Sequence, residues 1–247
     1  MRMRTFEEEW RRRFERFAQR YDVDHLVSGW SESGLRRRFA LFKELIALQD
    51  LHPSIKILDL GCGAGTYVRF LATFGRRVVG LDYSLPSLSR ALAADPNRAG
   101  CYVGGEAYKL PFCDESFDLV VSIGVFQALA CPERALDEMV RVLRPKGILM
   151  VDFLNAFELV ALARSAQERL RGRLPRVHTY SPFQVHRWLT ERGLKVVRRA
   201  GVYLPPRAFI WLEKVLQLKG VFYIMEGIPG FSLGGAHAFL LIGAKYP

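Results

Sequence analysis

The sequence predicts an α/β fold, a mostly parallel sheet with helices on both faces, and three observations carry that prediction. The first is the stretch Ile57-Leu58-Asp59-Leu60-Gly61-Cys62-Gly63-Ala64-Gly65-Thr66-Tyr67. An apolar run (Ile55, Ile57, Leu58, Leu60) reads as a buried parallel strand, and glycines make a tight turn behind it. Tyr67, Phe70, Leu71 and Phe74 then fall at helical spacing, with Gly75 in the place of a C-terminal cap. The second is the alternation of strand and helix patterns from Ile55 to Asp152, which crossover helices impose on a parallel sheet. The third is size: 247 residues, 50% hydrophobic, suffice for one α/β domain with appended helices.

Residues 1–52 read as an N-terminal helical cap, and 53–247 as the core with which it forms a single globular unit. Thr5 and Glu8 make a capping box, and Phe6, Trp10, Phe14, Phe17 and Tyr21 recur every three or four residues as one aromatic stripe. The other faces carry Glu7, Glu8, Glu9 and Arg11, Arg12, Arg13. This pattern predicts a helix packed on the core, with a lid or a membrane-surface helix as the sharper alternatives; Glu7 to Glu9 oppose anionic lipid. A helix over Arg36 to Leu48 follows, with Phe39, Phe42, Leu45 and Ile46 on one side and three arginines at its start. These arginines read as a solvated face.

In the core, Arg77 to Asp82 is a second strand, and Ser84 with Pro86 starts the next helix. Ser116 to Ser122 is a strand, and the helix Pro132 to Leu143 turns Leu136, Met139, Val140 and Leu143 inward. Gly147 to Phe153 is the fifth strand. Asn155 with Glu158 opens a helix whose basic end, Arg164 to Arg176, contains Arg169, Arg171, Arg173 and Arg176. Ser181-Pro182-Phe183-Gln184 is a second capping box, Gly193 ends that helix, Leu194 to Val202 is a strand, and His237 to Lys245 is the last. Between them lies a late apolar insert, 205–236, holding Trp211, Phe222, Tyr223, Met225 and Phe231 among five glycines. It is too apolar for a solvated loop. We expect it to wall a substrate pocket together with Phe14, Phe17 and Tyr21.

Strand, glycine turn and helix together form the geometry of a nucleotide-binding unit, in which the backbone approaches a ligand closely. A dinucleotide fingerprint would need a glycine at Thr66; here Gly65 stands one place early. The spacing after Leu58-Asp59-Leu60 resembles instead the first motif of class I S-adenosylmethionine-dependent methyltransferases. Asp82 lies 82 − 61 = 21 positions beyond Gly61, about the ~20-residue offset at which a strand-end carboxylate reaches a ribose diol. Gly105-Glu106-Ala107-Tyr108-Lys109-Leu110-Pro111-Phe112 is similar to the family's Gly-Asp-Ala-x-x-Leu-Pro-Phe element, with Glu106 one methylene longer than the usual acid. Ser116 to Ser122 and Arg141 to Gly147 match the next two elements. Arg20-Tyr21-Asp22 resembles the N-terminal segment of the ubiquinone/menaquinone-biosynthesis type.

That resemblance implies a Rossmann-like seven-stranded sheet whose last strand enters antiparallel at the sheet edge. It implies S-adenosylmethionine as cofactor, held by Tyr21, Asp59, Gly61, Cys62, Gly63, Gly65, Asp82, Tyr83, Glu106, Ala107 and Ser122. Asp82 would accept from both ribose hydroxyls, and Glu106 with the Ala107 N–H would read the adenine edge, with Ser122 nearby. Tyr21 would close over the methionine end, and one arginine of the Arg36 cluster could meet the cofactor's carboxylate. Candidates for acceptor-side chemistry are His178, Tyr180 and Gln127, with Tyr21 and His25 behind them. Histidine can take a proton near neutrality, whereas glutamine can only orient.

The first function expected is methyl transfer to a small apolar or aromatic acceptor. The alternatives are a tRNA-modifying methyltransferase and a non-catalytic cofactor-binding protein, which the intact Asp59, Asp82 and Glu106 disfavour. No Asn-Pro-Pro-Tyr follows the fourth strand, against methylation of adenine or amide nitrogens. A net charge of +11 permits nucleic acid, an anionic membrane surface or an acidic substrate and selects none. No apolar run reaches the roughly 18 residues of a spanning helix, so peripheral membrane contact alone stays open. The four cysteines lack paired spacing and read as free thiols of a cytoplasmic protein, and no metal site is expected.

Overall fold

The structure is a computed structural model describing residues 5–74, 77–172, 177–203 and 234–246. Gly75, Arg173, Arg176 and nearly all of the 205–236 insert therefore lie outside the described residues. In chain order the elements are α1 (Phe6–Arg20), α2 (Asp24–Val27), α3 (Glu32–Ala47), β1 (Lys56–Leu60), α4 (Thr66–Ala72), β2 (Arg77–Asp82) and α5 (Leu85–Ala93). Then follow β3 (Cys101–Gly104), β4 (Phe117–Ser122), a short 3-10 turn (Phe126–Ala128), α6 (Pro132–Val142), β5 (Leu143–Leu154) and α7 (Leu159–Leu170). The last elements are α8 (Pro182–Thr190), β6 (Leu194–Val202) and β7 (Ala238–Lys245).

Seven strands form one sheet in the order β3-β2-β1-β4-β5-β7-β6. The first five pair in parallel, and β7 runs antiparallel to both β5 and β6. The last strand thus does not lie at the sheet edge, as expected above, but inside it. The side chains give the reason. Ala238 to Ile242 are all buried, as an interior strand requires, whereas Lys195, Arg198 and Arg199 of β6 are exposed, as an edge strand tolerates.

Two apolar layers sandwich the sheet. On one face Phe42, Leu45 and Ile46 of α3 meet Tyr67, Val68 and Leu71 of α4. On the other Leu136, Met139 and Val142 of α6 pack with Val185, Trp188 and Leu189 of α8. Helix α6 stops one residue earlier than expected because Leu143 is already paired in the sheet, opposite Phe117. Asn155 does not cap α7. It is fully buried, its Nδ2 donates to the Ala236 carbonyl (2.8 Å), and its Oδ1 accepts from Phe157 N–H, so the helix begins at Leu159.

Helix α1 has the Thr5–Glu8 capping box and leans across the C-terminal ends of the central strands. Arg90 of α5 fastens its end, donating to the Ala18 carbonyl (2.8 Å) and pairing with Asp22. Among the described residues no helix is long and apolar enough to cross a membrane.

Candidate functional site

A cavity opens at the C-terminal ends of β1, β2 and β4, where ligands of open α/β sheets bind, and α1 roofs it. Its floor is the glycine turn. Gly61 has φ +75°, and a side chain there would collide with Val125, whose Cγ2 lies 2.2 Å from the ideal Cβ position. The Gly61 and Cys62 N–H groups donate to the Leu81 carbonyl, tying the turn to β2. At Gly63 (φ +53°) an added Cβ would make only an ordinary contact, with Ser28 Oγ at 3.7 Å.

Asp82 ends β2 inside this cavity. One carboxylate oxygen accepts from Gly63 N–H (2.9 Å) and the other from Ser84 N–H (2.8 Å). A carboxylate offers about four acceptor positions, so two remain for hydroxyls arriving from the cavity. Burial raises its pKa, and the backbone donors oppose that rise. Asp59, on β1, is 1% exposed and its Oδ2 has no protein partner. Burial first, and the nearby Asp82 charge second, push its carboxyl up to about 8.

The neighbouring wall is built by Tyr83, Glu106, Ala107 and Tyr108. Arg11 of α1 lies 4.8 Å from the Tyr83 ring centre and donates to Glu106 at 2.5 Å. Glu7, one turn earlier, accepts from the Tyr108 hydroxyl and from Ala130 N–H (2.9 Å). Glu7, Trp10, Arg11 and Phe14 all line the cavity. On sequence grounds Glu7 and Arg11 belong to faces away from the stripe, but the structure turns both inward. Their positions, i, i+3, i+4 and i+7 with Trp10 and Phe14, form a helical face in their own right, and that signal was in the sequence.

Beyond the glycine turn the wall is apolar: Val27, Trp30, Leu35 and Ile123. Trp30 lies against Gly124 (φ +80°), where an added Cβ would stand 2.1 Å from its ring. The Arg38 guanidinium covers the indole at 4.6 Å and pairs with buried Asp152 at 3.0 Å. Asp152 also accepts from Gly124 N–H. Arg38 is therefore 3% exposed and committed to a protein carboxylate, neither solvated nor turned to a ligand. No periodicity in the sequence marks Ser28, Trp30 and Leu35 as a cavity wall: the first two sit in the short link between α2 and α3, and Leu35 lies near the start of α3.

Of the cofactor-site residues expected, Gly61, Cys62, Gly63, Asp82, Tyr83, Glu106 and Ala107 line the cavity. Four do not. Asp59 lies just beneath. Ser122 is fully buried and donates to the Leu60 carbonyl (3.1 Å), stitching β4 to β1. Gly65 caps α4 in a left-handed conformation, and a side chain on it would strike Tyr102 and Ala91 rather than a ligand. Tyr21 packs beside Phe17 and the Ala18, Val27 and Ala64 cluster, behind the turn.

The three acceptor-side candidates stand one layer behind the wall. His178 stacks on Phe6 at 4.1 Å and its Nδ1–H donates to the Leu129 carbonyl (2.8 Å). The Tyr180 hydroxyl donates to the Phe126 carbonyl (3.2 Å), and the Gln127 carbonyl accepts from His178 N–H (3.0 Å). All three brace the loop after β4 instead of facing the cavity.

A glycine turn, a strand-end carboxylate and an acid with an adjoining N–H after the next strand form a cleft of the class I methyltransferase kind. The residues fit S-adenosylmethionine, since Asp82 keeps acceptor positions open and the Asp59 oxygen lacks a protein donor. Residues 58–151 match the family described as methyltransferase domain. The demethylmenaquinone methyltransferase of Mycobacterium sp. (strain JLS) is 31% identical over 73% of this chain and 79% of its own length. The malonyl-[acyl-carrier protein] O-methyltransferase of Pectobacterium atrosepticum is 33% identical over 58% of this chain and 55% of its own. Among solved structures, one chain of the complex between the Haloferax volcanii Trm112 methyltransferase activator and a methyltransferase superposes with a TM-score of 0.67. It is 21% identical, covering 96% of this chain and 97% of its own. The chain belongs to the S-adenosylmethionine-dependent methyltransferases, and S-adenosylmethionine is its cofactor.

Proposed function

We propose that the protein transfers a methyl group to a small apolar or aromatic acceptor by in-line displacement. The observation that carries this is the apolar wall beyond the glycine turn, formed by Trp10, Phe14, Val27, Trp30 and Leu35. Bound S-adenosylmethionine supplies a methyl already activated by its sulfonium charge. What the chain contributes is placement, worth about 7–11 kcal/mol in favourable cases. Asp82 would hold the ribose, Glu106 and the Ala107 N–H the adenine, and Gly61 to Gly63 the amino-acid end. Residues 1–52 act as the cap, with α1 excluding water from above.

The carboxylates lining the cavity are engaged: Glu7 by Tyr108 and Ala130, Glu106 by Arg11, Asp82 by two backbone donors. An acceptor that ionises readily, such as a phenol or quinol, suits such a wall better than one needing a strong base. The quinol form of demethylmenaquinone, the compound named for the Mycobacterium relative, would be an apolar acceptor of this kind. The test is methyl-labelled cofactor offered with demethylated quinols and, separately, with bulk tRNA. Label in the quinol is expected; label in tRNA and none in any apolar acceptor would overturn the reading.

A further inference from the structure

We propose that α7 is a docking surface for an anionic lipid bilayer. Leu159, Leu162, Ala163, Ala166 and Leu170 fall at i, i+3, i+4, i+7 and i+11 and so share one stripe at about 100° per residue. On a surface helix of a globular protein that stripe faces the core. Here all five are exposed, Leu159 to 71% and Leu170 to 89%. Among its described side chains the half-buried ones are Ala161, Ser165 and Glu168, on the opposite side of the helix. The helix is thus amphipathic with its apolar side outward, and none of its described side chains is buried. A lone helix of this length is marginal in water, so an outward apolar face calls for a partner.

The surroundings select the partner. Phe157 and Phe183, 39% and 60% exposed with ring centres 6.4 Å apart, extend the patch at the start of the helix. Arg169 and Arg171 are exposed and flank the stripe on either side. The acids nearby are turned away: Glu158 pairs with His237 at 3.1 Å, and Glu168 lies on the half-buried side. An apolar stripe rimmed by arginines fits the boundary between anionic headgroups and acyl chains. A second copy fits poorly, because two-fold pairing of this face would bring together like-charged rims on chains of net charge +11. The proposal is independent of the acceptor: it concerns binding to a surface, and it stands or falls without methyl transfer.

The experiment is sedimentation of the full chain with phosphatidylcholine vesicles, with and without phosphatidylglycerol. Binding is expected to the anionic vesicles, to weaken with salt, and to be slight on pure phosphatidylcholine. Replacing Leu159→Glu, Leu162→Glu and Leu170→Glu together should weaken it at least about tenfold, the loss of a few buried methylenes. Arg169→Glu with Arg171→Glu should remove its dependence on anionic lipid. Neither variant should change the melting temperature or the calorimetric affinity for S-adenosylmethionine. Failure of the wild-type chain to bind anionic vesicles would overturn the proposal, as would wild-type binding by the triple-leucine variant. A triple variant that loses stability, or that converts a dimer to a monomer by light scattering, would show the patch covered by this chain or its copy and overturn it equally.

Discussion

Replacing Asp82 separates the two jobs its carboxylate performs. Within the chain it accepts from Gly63 and Ser84 N–H; with cofactor bound it would also accept two ribose hydroxyls. Charge-assisted bonds are worth about 1.5–3 kcal/mol each, with partial compensation by water. Asp82→Ala should therefore weaken S-adenosylmethionine binding by about 2–3 kcal/mol, or roughly 30- to 160-fold. It should also leave two backbone donors without their acceptor, at about 1–3 kcal/mol apiece if water does not replace it. At about 2–4 °C per kcal/mol for a chain of this size, the melting temperature should fall. Asp82→Asn keeps a neutral acceptor for one donor, so it should recover part of the stability while regaining little affinity. Isothermal titration calorimetry and thermal melts of both variants read the two jobs apart. Wild-type affinity in Asp82→Ala would refute the ribose assignment, whatever happened to the melting temperature.

Burial, and the Asp82 charge after it, push the Asp59 carboxyl up to about 8 in the folded chain, from about 4 when unfolded. The folded state binds that proton more tightly, so its contribution favours folding at low pH and is lost as pH climbs from about 4 to about 8. Asp59→Asn should flatten that decline in melting temperature; parallel curves for variant and wild type would count against the buried, proton-holding carboxyl. Gly124→Ala meets Trp30 and a φ of +80°. It should cost about 1–2 kcal/mol from backbone strain alone and impair acceptor turnover more than cofactor affinity, a split that steady-state kinetics with calorimetry would detect. Arg38→Met leaves Asp152 as an uncompensated buried charge and should destabilise by about 3–5 kcal/mol; restoration by the second change Asp152→Leu, measured by denaturant melts, checks that the cost is the stranded charge.

The central sheet was legible because its strands are short apolar runs separated by glycine and proline turns, and Asp82 because a strand-end acid keeps a fixed offset from the glycine turn. Side chains that gain their role only from a distant partner were not. Arg38 reads as one of three solvated arginines until β5 brings Asp152 beneath it, 114 positions away. His178 reads as a titratable loop residue until Phe6 and the Leu129 carbonyl occupy it. The place of β7 was legible after all: five consecutive buried apolar residues beside a β6 studded with lysine and arginine distinguish interior from edge.

The position of β7 also bears on how the chain is made. The slot between β5 and β6 is filled by the last of the seven described strands to be synthesised, beginning 238 − 154 = 84 residues after β5 ends. At about 5–20 residues per second, ~4–17 s pass on the ribosome before Ala238 can be added. Through that interval β5 has only one neighbour in the sheet, and β6, when it emerges, has none. Both present bare backbone edges of the kind that template wrong pairings. A nascent chain stalled before Ala238 would carry a nearly complete cofactor cleft and an open sheet at once, which makes the closing strand a natural point for chaperone dependence.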